Sequence, residues 1–300
     1  MKNRLYIIML ITFAAMPCLS QLNVVSISKI ADAGHSPLIY PSGQFVLVQD
    51  AGEQGLTQIN LSNNQQKLIV SEHNIEGDIY LSDGGTMVAY RTALYQDHLR
   101  YHVIRSADIN SGMVKDLDTP SRELYALRFT GGKIKIAKRT TMRSVRLLND
   151  IRKVEQEYIV AVEDDDLILY IGNKRKVISP NGKDTYLWER ISPDEKNIVY
   201  VAVNDKCHTY VYNIDSGQLK DLGYYIGAPT WLDNNWIIGQ QDEDDGHQMT
   251  RSRLVAVQAD GSNFQVLPTK DLIMPINPSA SKDGKIAFEN EGKIYIMEVK

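Results

Sequence analysis

Ser192-Pro193-Asp194-Glu195-Lys196-Asn197-Ile198-Val199-Tyr200 joins a turn-forming cluster to a wholly apolar strand, and Ser281-Lys282-Asp283-Gly284-Lys285-Ile286-Ala287-Phe288 repeats the phrase 89 residues on. Working outward, the first strongly apolar residue after each such cluster is Phe45, Met87, Ile134, Ile198, Trp236 and Ile286, at separations of 42, 47, 64, 38 and 50 residues. The preceding clusters, from Pro41-Ser42-Gly43 to Lys282-Asp283-Gly284, are built from residues that tolerate tight turns. A period of about 40 to 50 residues is that of a β-propeller blade. Six anchors predict six blades.

A second set of turns, at Ser62-Asn63-Asn64, Asn110-Ser111-Gly112, Gly172-Asn173-Lys174, Asp215-Ser216-Gly217 and Asp260-Gly261-Ser262, falls where the two outer strands of a blade would meet. There are five, because the last blade stops one strand short after Lys293 to Val299. The segment Leu22 to Ile30 has no partner of its own, so it is expected to complete that blade and cover its edge. Val, Ile, Tyr and Thr dominate the runs and no segment sustains a 3.6-residue apolar period, which makes the chain all-β. The 64-residue separation exceeds one plain blade. It implies an insertion near residues 141–157, or a seventh blade in which Tyr158 to Val162 and Leu167 to Tyr170 are strands.

Residues 1–20 read as a secretory signal, since Lys2 and Arg4 precede an apolar run from Leu5 to Met16 that is shorter than the ~20 residues of a membrane span. Pro17 before Cys18 weakens a lipoprotein reading. The expected mature chain is a single domain over residues 21–300, periplasmic or secreted to the cell surface, monomeric and without a transmembrane segment. The sequence holds 33 basic and 37 acidic residues, a net charge of −4 that becomes −6 without Lys2 and Arg4. This balance argues against a nucleic-acid partner. Cys207 is the single cysteine past the leader, so no internal disulfide is expected.

The stretch Ala228-Pro229-Thr230-Trp231-Leu232-Asp233, followed by Leu254 to Asn263 and Phe264 to Thr269, resembles one blade of the TolB-like β-propellers almost throughout. The resemblance is good from about residue 184 to 300 and weaker before. It implies a TolB-like six-bladed propeller, and the chain resembles the stand-alone exported propellers common in Bacteroidetes, without the N-terminal domain of true TolB.

Chemistry is sparse. Between Lys133 and Lys153 eight basic residues, among them Arg143, Arg146, Arg152 and Lys153, face one acid, Asp150, and are candidates to attract an anionic partner; Lys133, Lys135 and Arg139 fall on the polar face of an alternating strand, where charge also serves solubility. Gln241-Asp242-Glu243-Asp244-Asp245-Gly246-His247 supplies Asp242, Asp244, Asp245 and His247 as binding candidates. As a calcium loop it lacks the leading Asp and closing Glu, and a polar hairpin with an Asp-Gly turn explains it. His98 and His102 are weak metal candidates, four apart beside Asp97, with no third ligand in view. Trp188 and Trp231 each precede an anchor turn, where blade-to-blade packing accounts for them and contact at the channel mouth is the alternative. No Gly-x-Ser-x-Gly elbow, phosphate loop or paired metal cysteines occur, and no cofactor is called for.

The expectation is a non-enzymatic exported scaffold that engages a protein or glycan partner of the cell envelope through its loop-rich face. Two alternatives stand beside it: a metal-dependent carbohydrate lyase or hydrolase of propeller fold, and a structural component of an envelope complex. The resemblance places the Gln96–His102 segment, the Asp242–His247 loop, the basic stretch and Asn204–His208 on one rim.

Overall fold

The computed structural model describes residues 21–50, 52, 55–82, 84–122, 126–130, 133–137, 142–146, 158–172, 174–204 and 206–300. The leader at 1–20 and the candidates Arg152 and Lys153 lie outside the described residues. The chain is all-β, with no helix among the described residues. β1 (Val24–Ala31) precedes a first four-stranded sheet of β2 (His35–Ile39), β3 (Phe45–Gln49), β4 (Gly55–Asn60) and β5 (Gln66–Ser71). The second sheet holds β6 (Ile75–Leu81), β7 (Met87–Gln96), β8 (Leu99–Asp108) and β9 (Val114–Asp116). Two three-stranded sheets follow, β10 (Ala126–Thr130), β11 (Lys133–Ala137) and β12 (Met142–Arg146), then β13 (Tyr158–Glu163), β14 (Asp166–Ile171) and β15 (Lys174–Val177). β16 (Tyr186–Ile191), β17 (Asn197–Ala202), β18 (His208–Asn213) and β19 (Leu219–Asp221) form the fifth sheet. β20 (Gly227–Trp231), β21 (Trp236–Asp244), β22 (Met249–Gln258) and β23 (Gln265–Val266) form the sixth. The last comprises β24 (Pro275–Ser281), β25 (Lys285–Asn290) and β26 (Lys293–Val299), with β1 on its outer edge.

Each of the six anchors lies on the second strand of a sheet, and all five outer turns join a sheet's last two described strands. The 64-residue separation is filled by the sheet β13–β15, whose first two strands are the two segments that the alternative of an extra unit required. Seven hydrogen-bonded sheets therefore make up the propeller, six of them carrying the anchor phrase. Within the 141–157 stretch, residues 142–146 are β12, paired with β11 from Ala137↔Met142 to Lys133↔Arg146, and the remainder lies outside the described residues.

The anchor turn explains why the phrase recurs. Gly43 N–H donates to Tyr40 O at 2.8 Å, Gly85 to Ser82 at 2.8 Å, Glu195 to Ser192 at 2.9 Å and Gly284 to Ser281 at 3.0 Å. The donor residue has φ of +65°, +66°, +60° and +83° in turn, the left-handed region that suits glycine. The serine hydroxyl adds a cap, as Ser192 Oγ accepts from Asn197 N at 3.0 Å and Ser82 Oγ from Thr86 N and Met87 N at 3.1 Å. Beyond the turn the second strands are buried on both faces, which is why Ile198 to Val201 read as a continuous apolar run.

The core is shared between sheets. Tyr186, Ile198, Tyr200, Tyr210 and Tyr212 pack with Leu167 and Leu169 of the preceding sheet, while Leu254, Ala256, Ile286, Phe288 and Met297 join the sixth sheet to the last. Ring closure follows the expected route: β1 pairs antiparallel with β26 from Val24↔Val299 to Ala31↔Ile294, and Asn23 and Lys300 exchange backbone hydrogen bonds of 2.7 and 3.0 Å.

Candidate binding rim

One face collects the hairpins between second and third strands together with the connections between sheets. Backbone hydrogen bonds join the two sets: Ala93 N to Asn74 O at 3.0 Å, Val203 N to Thr185 O at 3.2 Å, Thr209 N to Tyr224 O at 2.7 Å and Ser252 N to Ile273 O at 3.0 Å. Two of these hairpins are long. β7 and β8 stay paired through Ala93↔His102, Leu94↔Tyr101, Tyr95↔Arg100 and Gln96↔Leu99, four pairs beyond the reach of the shorter sheets. At about 3.3 Å per residue they project roughly 13 Å further. β21 and β22 continue through Asp242↔Ser252, Glu243↔Arg251 and Asp244↔Met249.

The first hairpin is tipped by Tyr95, 66 % exposed, and Leu99, 40 % exposed. Its base is braced from the innermost strand β6 by Glu76, a nearly buried carboxylate that accepts from Arg91 and Arg100 and lies 3.0 Å from His102 Nδ1. Burial alone would raise the Glu76 pKa; the Arg91 and Arg100 hydrogen bonds and the His102 imidazole outweigh it and hold the group below the usual carboxylate range. In the connection between β5 and β6, Glu72 accepts from Tyr90 Oη at 2.8 Å and pairs with Arg105. These carboxylates, Glu72 and Glu76, were not singled out by the sequence reading. Both stand in the stretch Ser71 to Asp78 among other polar residues, with no local motif to mark them.

The structure separates His98 from His102. Asp97 and His98 are the two turn residues, with φ of +51° and +62°, so His98 leaves the strand at the exposed tip. His102 is buried against Glu76 instead. Among the described residues no group of three or more His, Cys, Asp or Glu side chains is placed to hold a metal ion.

In the second hairpin, Asp244 Oδ1 accepts from Gly246 N at 2.9 Å, and Asp245 Oδ1 from His247 N at 2.9 Å and Gln248 N at 3.0 Å. The Gln248 and His247 backbone donors hold Asp245 below the usual carboxylate range. Both acids thus shape their own turn, with His247 exposed beside them. Asp242 differs. It sits lower, half-buried, accepting from Gln240 Nε2 at 2.9 Å and Ser252 Oγ at 2.8 Å, and Gln240 Oε1 in turn accepts from Asn277 N at 2.6 Å in the next sheet.

Arg143 and Arg146 stand on β12 opposite Ile136 and Lys133. Lys135 corrects the polar-face assignment: β11 is the middle strand of its sheet, Lys135 is 1 % exposed between Ile134 and Ile136, and its Nζ donates to Gly172 O at 3.3 Å. His208, from the Asn204–His208 loop, pairs through Nδ1 with Asp221 at 3.0 Å. No helix among the described residues is long and apolar enough to cross a membrane.

No protein-family model matches the chain, and none of the curated proteins does. Among solved structures it is similar to TolB from Acinetobacter baumannii, at 16 % identity and a TM-score of 0.58, covering 83 % of this chain and 57 % of that one. The chain therefore spans little more than half the length of that protein. It is similar to a putative TolB from Agrobacterium tumefaciens, at 13 % identity and a TM-score of 0.55 over 88 % of each chain. It is also similar to the WD40 β-propeller domain of Doa1, at 10 % identity and a TM-score of 0.64, over 92 % of this chain and 97 % of the other. Identities this low establish the fold alone.

Proposed function

We propose that this chain, TolB-like in its propeller fold, is a non-catalytic exported scaffold that engages a protein partner of the cell envelope through the hairpin-bearing rim. The observation that carries this reading is the pair of long hairpins, β7–β8 and β21–β22, each fixed at its base by a buried polar network and tipped with exposed residues. An exposed tyrosine and an exposed leucine, on opposite faces of a rigid projection, have the composition of binding anchors, because the tyrosine offers a large contact area with little side-chain entropy to lose. Rigid scaffolds that carry variable loops place recognition on those loops. Export is proposed on the leader at 1–20.

The test is crosslinked capture from the producing cell's envelope, comparing the wild type with a Tyr95→Ala/Leu99→Ala variant of equal thermal stability. A partner retained by the wild type and lost by the variant supports the reading. Equal capture by both proteins overturns it.

A further inference from the structure

Trp188 occupies an unusual backbone position. β16 bulges between Leu187 and Arg190, and Trp188 within that bulge has φ of +54°. The same bulge recurs in the innermost strands β2, β20 and β24, where the left-handed residue is Ser36, Ala228 or Asn277, at +46°, +45° and +52°. Three of the four positions hold small or polar residues and the fourth holds an indole. A left-handed backbone costs a residue with a Cβ roughly 1–2 kcal/mol, and a bulky residue is the poorest choice for it. Packing gives no evident return, because Trp188 stays 38 % exposed while Trp231 and Trp236 are 6 % and 5 % exposed. Trp231 is fixed by its Nε1–H bond to Arg190 O at 3.1 Å. Strain held at an exposed aromatic side chain points to function.

The neighbours of Trp188 say what it would hold. The Tyr225 ring lies 6.4 Å from it, centroid to centroid, inclined at 57°. Gln241 Nε2 donates to Tyr225 O at 3.2 Å, which ties this connection to β21. The Tyr225 hydroxyl and the Gln240 side chain that holds Asp242 converge on Gly227, 2.8 and 3.3 Å from where a Cβ there would stand, and the Tyr225 hydroxyl pKa is pushed up to about 12, first by burial and then by the charge of Asp242. Asp242 is held in place by Gln240 and Ser252. Two π faces beside a fixed carboxylate attract a cation, and a planar guanidinium stacks on such rings better than an ammonium does.

We propose that Trp188, Tyr225 and Asp242 form a subsite for an arginine side chain presented by the partner. That the arginine belongs to a protein rests on the rim reading above; recognition of the guanidinium does not.

The probe is Nα-acetyl-arginine amide, followed by tryptophan fluorescence, with Nα-acetyl-citrulline amide as the uncharged analogue of the same shape. Trp188 is the exposed one of three tryptophans, so the response reports on the subsite. The expected result is a saturable change with the arginine amide, with binding about tenfold weaker for the citrulline amide and for Asp242→Asn. Tyr225→Leu, compared at equal melting temperature and followed by calorimetry, guards against misfolding in Asp242→Asn and should bind at least threefold more weakly. Equal titration by the two amides, the lack of a saturable change, or unaltered binding by both variants overturns the proposal. The two readings fail separately. Arginine-amide binding without any Tyr95- and Leu99-dependent capture sinks the rim reading and keeps the subsite. Normal partner capture by Trp188→Ala, with no arginine-amide binding by the wild type, does the reverse.

Discussion

Glu289 holds His35 across the boundary where the ring closes: its Oε1 lies 3.0 Å from His35 Nδ1, and its Oε2 accepts from Ser36 N at 3.3 Å. The carboxylate belongs to β25 of the last sheet and its partners to β2 of the first. Gln240 does the equivalent service for Asn277 one sheet earlier, and Gln49 Nε2 donates to Ile75 O at 2.8 Å one sheet later. A polar residue at the fifth position of a second strand thus repeatedly fastens the bulged inner strand of the next sheet.

Replacing Glu289 by Ala should therefore destabilise the protein by about 1 kcal/mol, since it removes the hydrogen bond that the nearly buried carboxylate accepts from Ser36 N–H, while the half-exposed His35 contributes little. Glu289→Gln keeps an acceptor and should recover most of the loss. Urea midpoints of the three proteins measure this, and an unchanged midpoint for Glu289→Ala would count against the fastening role.

The anchor turns predict substitutions of opposite sign. Glu195 takes the left-handed position that glycine holds in three sibling turns, so Glu195→Gly should stabilise by about 0.5 kcal/mol, the relief of strain exceeding the added chain entropy. Gly284→Ala should destabilise by about 2 kcal/mol or more, because its Cβ would stand 2.4 Å from Val299 O. Thermal melts separate the two directions.

Glu76 predicts a pH dependence. Its folded pKa lies below the ordinary value, so its contribution is fully present above the unfolded carboxylate value of about 4.3 and is lost as pH falls through the depressed folded value. Glu76→Gln should cost about 1–2 kcal/mol at pH 7, allowing for the exposure of Arg100. The gap between wild type and variant should narrow on acidification towards pH 3. Urea midpoints at pH 7 and pH 3 test it, and a gap of constant size would refute the assignment.

Much of this architecture is legible in the chain because the anchor turn draws on few residue types: turn formers, a left-handed residue in four of the turns and a serine cap at Ser82 and Ser192, then an apolar run buried on both faces. The sheet β13–β15 escaped an anchor count for the same reason. Its first turn is made by Asp164 and Asp165, at φ of +50° and +64°, with neither glycine nor proline to mark it, and Asp97 with His98 makes the same kind of turn. The rim was harder to read. Nothing local distinguishes Glu76, whose role depends on Arg91, Arg100 and His102 arriving from two other strands. Trp188 and Trp231 look alike in sequence, each ahead of an anchor turn, and only the bulge decides that one is buried and the other presented. Lys135 alternates with Ile134 and Ile136 as a solvent-facing residue would, yet its strand lies inside its sheet.

The pairing of β1 with β26 also sets a schedule for synthesis. Val24 and Val299 are partners about 275 residues apart, so at roughly 5–20 residues per second the first strand leaves the ribosome some 15 to 55 seconds before its mate exists. Throughout that interval its edge is open to any other strand. Ser26, Ser28 and Lys29 interrupt the apolar residues of β1, keeping the waiting segment polar enough to discourage premature pairing until the ring can accept it.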